Sequence, residues 1–347
     1  MNVPRKLRIL TFGAGAIGTY IGGSLALQGH QVVFLEREDK FPALREKGFF
    51  LEHNQRRDHL PRPELAPDLK TALSGTAFDL AIFALKSYHN SRVITDLERY
   101  RDSFPPLLCL QNGISNEKQL AGALGKDKII PGTVTTAVQG IGTGDIVVEK
   151  KRGTGIGGSH PLCKSLVEIF NQADLNASHY PDAEAMKWSK CLINLMGNAS
   201  SAILDIPPGE IYRDAETFSL EIRQLREALT VMKSASIPPV DLPGVPVKLL
   251  AILIQYPPLW LSRPILARAV SRGRGDKMPS FHQDLIKGKK QSEVKKLNGA
   301  VVEKGETCGV PTPVNKVLTE TLLALAAGEK SRDDYAGNPR ALLAELE

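Results

Sequence analysis

The chain has 347 residues, 42% of them hydrophobic and 24% charged, and a net charge of +6. That length accommodates two domains with separate cores, in a composition ordinary for a soluble globular protein. The modest, scattered positive charge excludes the dense basic stripe of a nucleic-acid binder and favours anionic small molecules.

From the N-terminus, "LRILTF" (7–12) reads as a short buried strand, "TYIGGSLALQG" as a helix ended by Gly29, and "HQVVFLER" as a second strand. Between the first two elements stands "GAGAIG", in which Gly13, Gly15 and Gly18 make G-x-G-x-x-G. Alone this is only a glycine-rich turn. Inside a β-α-β unit its first glycine permits the tight turn, its second lets a pyrophosphate approach, and its third lets helix pack on strand. At the end of the second strand, Glu36 suits a ribose 2′-hydroxyl and Arg37 a 2′-phosphate, so spacing leaves NAD and NADP both open.

"FDLAIFAL" (78–85) and "PLLCL" (106–110) predict further strands of a parallel sheet covered on both faces. "DKIIPGTVTTAV", "GDIVVEK" and "GTGIGG" add strand-like segments. Beyond about residue 180 the pattern turns helical, over 183–204, 214–236, 246–270, 281–304 and 314–327. The fold expected is α/β: a Rossmann-type dinucleotide-binding domain over 1–180, then an all-helical substrate domain over 181–347. Neither half holds an apolar run long enough to span a bilayer, and no signal-type segment opens the chain. Cys109, Cys163, Cys191 and Cys308 lie far apart without a C-x-x-C pair. They suggest no disulfide framework and no metal site, as expected of a cytoplasmic protein.

Within "KWSKCLINLMGNASSAIL" (187–204), Lys190, Asn194 and Asn198 stand four apart on an otherwise apolar helix, which places them in one slowly drifting stripe. A lone lysine there is a snorkelling side chain, and lone amides are packing groups or caps. Together they need partners if buried, supplied by the protein or by a ligand. A partly desolvated lysine can deliver a proton near neutral pH, which suits reduction of a carbonyl. Downstream, Ser280, Asp284, Glu293 and Asn298 punctuate apolar helical residues, and composition alone leaves them as surface polar groups and caps. His89 and His282 form no metal-like cluster and read as ordinary polar residues.

These segments, taken in order, resemble the ketopantoate reductase family (2-dehydropantoate 2-reductases) over most of the chain. "GAGAIG" (Gly13, Ala14, Gly15, Ala16, Ile17, Gly18) resembles its cofactor loop, and "FLER" places its arginine at Arg37. "ALKSYH" places a cofactor lysine at Lys86. "LQNG" places an asparagine contacting cofactor and substrate at Asn112, and "PGTVTTAV" puts Ala137 beside the cofactor. "KWSKCLINLMGN" resembles the catalytic helix, with the proton donor at Lys190 and substrate amides at Asn194 and Asn198. "PSFHQDL" and "SEVKKLNG" imply a substrate serine at Ser280 and a cofactor-side glutamate at Glu293.

The resemblance implies NADPH-dependent reduction of ketopantoate to pantoate at a cleft between the domains, and tips the cofactor towards NADPH through Arg37. The partner expected is a small-molecule 2-oxo acid, neither nucleic acid nor membrane, and the apolar run within 241–277 leaves a homodimer as a further option. Rival readings are a same-mechanism reductase of a bulkier 2-oxo or 3-oxo acid, and a noncatalytic NADP(H)-binding regulator. Three departures sit on the substrate side. Pro208-Gly209 stands where many members carry Asn-Gly, the 241–277 stretch is longer than expected, and the Ser280–Glu293 interval is about one residue longer.

Overall fold

The computed structural model describes residues 5–274 and 277–346; the Arg274 side chain and residues 275–276 of the long 241–277 stretch lie outside the described residues. Two compact units emerge. The first comprises Met1–Gln111, Ser115–Lys187 and Leu242–Val245, and the second Asn112–Ile114, Trp188–Asp241 and Pro246–Glu347.

The first unit opens with β1 (Arg8–Phe12), α1 (Ala16–Leu27), β2 (Gln31–Leu35), α2 (Phe41–Lys47), β3 (Phe49–His53) and β4 (Arg56–Leu60). It continues through β5 (Glu64–Ala66), α3 (Leu69–Leu73), β6 (Leu80–Phe83), α4 (Asn90–Glu98), β7 (Leu107–Cys109) and α5 (Asn116–Leu124). It closes with β8 (Ile129–Val134), β9 (Ala137–Gly142), β10 (Asp145–Lys150), β11 (Thr154–Gly157), α6 (Cys163–Gln172) and β12 (Ala177–Tyr180).

An eight-stranded sheet runs in the order β12-β11-β8-β7-β6-β1-β2-β5. Its strands are short apolar runs because both faces are covered, and their side chains divide by strand alternation. Ile9, Phe34, Ile82 and Leu108 enter one core; Leu10, Val33, Ala81 and Leu107 enter the other. The expected parallel sheet holds from β5 to β8, but β11 pairs antiparallel with β8. A second sheet, β4-β3-β10-β9, was not foreseen. Its β3–β4 hairpin turns at Asn54 and Gln55, both with positive φ, the requirement of a tight two-residue turn. The predicted strand "DKIIPGTVTTAV" divides at Thr135 and Thr136 between the two sheets. Thr135 Oγ1 donates there to the main-chain oxygens of Gly153 and Pro243, at 3.0 and 2.8 Å.

α7 (Ala183–Leu195) carries the chain into the second unit, which holds α8 (Ala199–Leu204), α9 (Pro208–Arg213), α10 (Ala215–Ser234), α11 (Val247–Gln255) and α12 (Leu259–Arg274). α13 (Ser280–Ile286), α14 (Asn298–Cys308), α15 (Pro313–Ala327) and α16 (Pro339–Ala344) complete it. The Asp214 side chain caps α10 by accepting from the N–H groups of Glu216 and Thr217. The Thr217 N–H leads in holding its carboxyl below the usual range. α11 buries Val247, Ala251 and Ile254, one face of a helix, and leaves Leu249 and Ile252 exposed. Tyr256 and Trp260 at the α11–α12 bend are 73% and 75% exposed. Among the described residues, no helix is long and apolar enough to cross a membrane.

Three predicted helices are broken, the one over 246–270 dividing into α11 and α12 at Pro257 and Pro258. Residues 183–204 divide into α7 and α8 at Gly197, whose φ of +57° ends a right-handed helix. Residues 281–304 divide into α13, a short 3₁₀ turn at Glu293–Lys296, and α14.

Candidate active site

The glycine loop joins β1 to α1. Gly13 has φ of +86°, and its N–H donates to Leu35 O at 2.9 Å, which closes the turn against β2. A side chain at Gly18 would place Cβ 2.0 Å from Gly13 O, so helix and turn meet backbone to backbone. A Cβ at Gly15 would meet nothing within 4 Å. The loop is therefore tight behind Gly13 and Gly18 and open at Gly15, where α1 begins without a side-chain cap. Unsatisfied N–H groups at such a helix start attract an anion, so these residues fit a dinucleotide pyrophosphate.

The two residues after β2 behave differently. Glu36 turns inward, with its side chain 8% exposed. One carboxylate oxygen accepts from Ala14 N–H (2.9 Å), and the other from Arg37 N–H (3.0 Å) and Lys40 Nζ (3.0 Å). Burial opposes its ionisation, yet these donors outweigh it and hold the carboxyl below its usual range. Arg37 lies exposed, paired with Asp39 at 3.1 Å.

Lys86 precedes a one-turn 3₁₀ segment at the end of β6. Gln111, at the end of β7, ties that segment down. Its Nε2 donates to Leu85 O and to Asn90 Oδ1, both at 2.8 Å. Asn90 Nδ2 donates in turn to Asn116 Oδ1 and Gln119 Oε1 at 3.1 Å. The main-chain oxygen of Gln111 accepts from Lys187 Nζ at 2.7 Å, and the same ammonium pairs with Glu117 at 2.7 Å. Burial and the Glu117 carboxylate push the nearby Cys109 thiol well up. Sequence reasoning missed Lys187; its signal was a second lysine one turn before Lys190. Ala137, half-buried, opens β9.

In the second unit, Asn112, Lys190, Asn194, Asn198, Ser280 and Glu293 occur together. Asn194 Nδ2 donates to Asn112 Oδ1 at 3.3 Å, and Ile114 N–H donates to Lys296 O at 2.8 Å. The Asn112–Ile114 segment thus meets both the lysine helix and the C-terminal block. Lys190 and Asn194 are half-buried on α7. Asn198 is not on that helix: the break at Gly197 removes it from the expected stripe and sets it at the start of α8. Its Oδ1 accepts from Phe281 N–H at 3.4 Å, which brings it beside Ser280 at the start of α13.

Of the downstream polar residues, Ser280 is exposed as expected, but the other three are not surface groups. Glu293 and Asn298 are buried, and Asp284, also buried, pairs with Lys289 at 2.6 Å. Asn298 Nδ2 donates to Gln224 Oε1 (2.9 Å) and Asn315 Oδ1 (3.0 Å). His282 pairs with Asp205 on the surface. Pro208 packs against the Gly197 turn: a Cβ at Gly197 would lie 3.0 Å from Pro208 Cβ.

The chain matches the family described as "Ketopantoate reductase PanE/ApbA" over residues 9–160 and that family's C-terminal part over residues 182–326. A 2-dehydropantoate 2-reductase of Pyrococcus horikoshii is 26% identical over 318 residues, covering 90% of this chain and 95% of its own. One of Lactococcus lactis is 26% identical over 322 residues, covering 90% and 96%. The crystal structure of a PanE/ApbA family ketopantoate reductase from Ralstonia eutropha superposes with a TM-score of 0.77 at 23% identity, covering 94% of this chain and all of that one. A D-mandelate dehydrogenase solved with NADH and anilino(oxo)acetate gives 0.75 at 21%, covering 93% and 99%, a likeness of fold. The protein belongs to the ketopantoate reductase family, a family of oxidoreductases.

Proposed function

We propose that the protein reduces 2-dehydropantoate to pantoate with NADPH, with Lys190 as proton donor. The observation that carries this reading is the grouping of Lys190, Asn194, Asn112, Asn198 and Ser280 in one unit, with Asn194 hydrogen-bonded to Asn112. A bound nicotinamide dinucleotide supplies the hydride that adds to C2 of the oxo acid. The glycine loop and α1 would receive its pyrophosphate, Arg37 would pair with its 2′-phosphate, and Lys86 and Ala137 would be its further contacts in the first unit, with Glu293 the cofactor-side glutamate that the family resemblance implies. Lys190 Nζ gives a proton to the oxygen that was the carbonyl, so the product is the neutral alcohol and the lysine is left as an amine. The amides of Asn112, Asn194 and Asn198 and the Ser280 hydroxyl hold the substrate's oxygens.

The long 241–277 stretch favours a second reading, reduction of a bulkier 2-oxo acid by the same residues. Its exposed α11–α12 face also supports a homodimer, and the reductase would work in the cytoplasm. The test follows NADPH oxidation against a panel of 2-oxo acids. Preferred turnover of 2-dehydropantoate is expected; preference for a larger acid selects the second reading. Binding of NADPH with no turnover of any acid makes the protein a noncatalytic binder.

A further inference from the structure

The break at Gly197 sits between two proposed substrate amides, and it is held by a group that no motif contains. Where α7 stops at Leu195, the Gly197 N–H is left inside the protein without the main-chain partner a continuous helix would give it, and Leu195 O keeps only a shortened-turn bond from Asn198 N–H at 3.2 Å. α10 presents two side chains to them, one turn apart. Glu221 Oε2 accepts from Gly197 N–H at 2.8 Å, and Gln224 Nε2 lies 3.4 Å from Leu195 O as its donor. Glu221 is 0% exposed, and each oxygen takes a second donor. Tyr212 Oη donates to Oε2 at 3.0 Å; Ser200 Oγ and Gln224 Nε2 donate to Oε1 at 2.5 and 2.8 Å. No cation is among these partners, so four dipoles hold a buried carboxyl whose titration burial pushes up.

The next residue is Asn198, 5% exposed. Its carbonyl oxygen is engaged by Phe281, while among the described residues its NH₂ donates to no protein group. A buried amide with its acceptor fixed and its donors unclaimed is arranged for a ligand oxygen. The direction of that NH₂ follows from the left-handed turn before it, and the turn follows from the carboxylate that accepts the Gly197 N–H.

We propose that Glu221 is a positioning residue for substrate: by holding the Gly197 turn, it aims the Asn198 amide at an oxygen of the 2-oxo acid. This rests on the reductase reading above.

The experiment compares the whole enzyme with Glu221→Gln, Asn198→Ala and the double variant, by steady-state kinetics with 2-dehydropantoate and by NADPH titration. Glu221→Gln keeps one acceptor oxygen but turns an amide towards donors. It should raise KM about tenfold with kcat little changed, the loss of roughly one charge-assisted hydrogen bond's worth of alignment. NADPH affinity should stay the same. Because Glu221 acts through Asn198, the double variant should be no worse than Asn198→Ala alone. Tyr212→Phe, which removes one donor from the same oxygen, should give a smaller rise in KM and serves if Glu221→Gln fails to fold. Independent, multiplying losses in the double variant, or lower melting temperature with unchanged KM, would overturn the proposal. A wild-type enzyme that binds NADPH but turns over no oxo acid sinks the reductase reading itself, a separate result.

Discussion

Lys187 Nζ stands 2.7 Å from the main-chain oxygen of Gln111 and 2.7 Å from the Glu117 carboxylate, almost wholly shielded from solvent. One ammonium therefore fixes the residue that precedes Asn112. Replacing it with methionine keeps the apolar stem but leaves Glu117 without its counter-charge. Breaking one partner of a buried pair costs about 3–5 kcal/mol, so Lys187→Met should lower stability strongly in urea unfolding. The double variant with Glu117→Leu should recover part of that loss. Equal stability of Lys187→Met and wild type would refute the anchoring role.

Lys190, one turn further along α7, has a different expected signature. Lys190→Ala should lower kcat by roughly 10²-fold or more while leaving NADPH affinity and the melting temperature nearly unchanged. Near-normal turnover would remove it as proton donor.

The proposed pairing of Arg37 with the 2′-phosphate predicts a difference between the two cofactors. Arg37→Ala should weaken NADPH far more than NADH, because only NADPH carries the 2′-phosphate that pairs with a guanidinium. Equal losses in titrations of both would exclude that pairing.

The Glu36 carboxyl is held below its unfolded value, so its contribution is present above the unfolded pKa of about 4 and fades as pH falls through the lower folded value. Melting curves across the acid range should therefore drop more steeply for wild type than for Glu36→Gln. Parallel curves would show that the carboxylate does not clamp Ala14.

Trp260 and Ile252 test the proposed dimer. Trp260→Glu combined with Ile252→Glu should reduce the mass seen by sedimentation equilibrium if α11–α12 faces a second copy. A mass unchanged from wild type, whether one chain or two, would remove this face as the subunit contact.

Much of the first unit could be read from residues because its signals are local. Gly13, Gly15 and Gly18 sit between a five-residue apolar strand and a helix, and backbone sterics leave little choice. The break at Gly197 was illegible for the opposite reason. A single glycine within good helix formers weakens a helix by only about 1 kcal/mol, so sequence alone favours continuing it. What decides is the carboxylate of Glu221, which reaches the turn only after α10 has packed. Lys187 and Lys190 differ in surroundings rather than in sequence, and the carbonyl of Gln111 is remote along the chain. The burial of Glu293 and Asn298 likewise depends on where α10 and α15 lie.

Glu221, Gln224 and Glu227 recur every three residues along α10, and each is spoken for by a different part of the second unit. Glu221 takes the Gly197 turn; Gln224 takes Asn298; Glu227 takes the N–H groups of Val314 and Asn315 at the start of α15, at 2.9 and 3.0 Å. No one of these partners can leave without stranding a buried polar group, so the helices cannot peel away singly. The slowest-exchanging amide protons of Gly197 and Asn315 should therefore open together, with one shared opening free energy. Far apart in the chain, the lysine helix and the last long helix would then unfold as a single cooperative block with α10 as its pin.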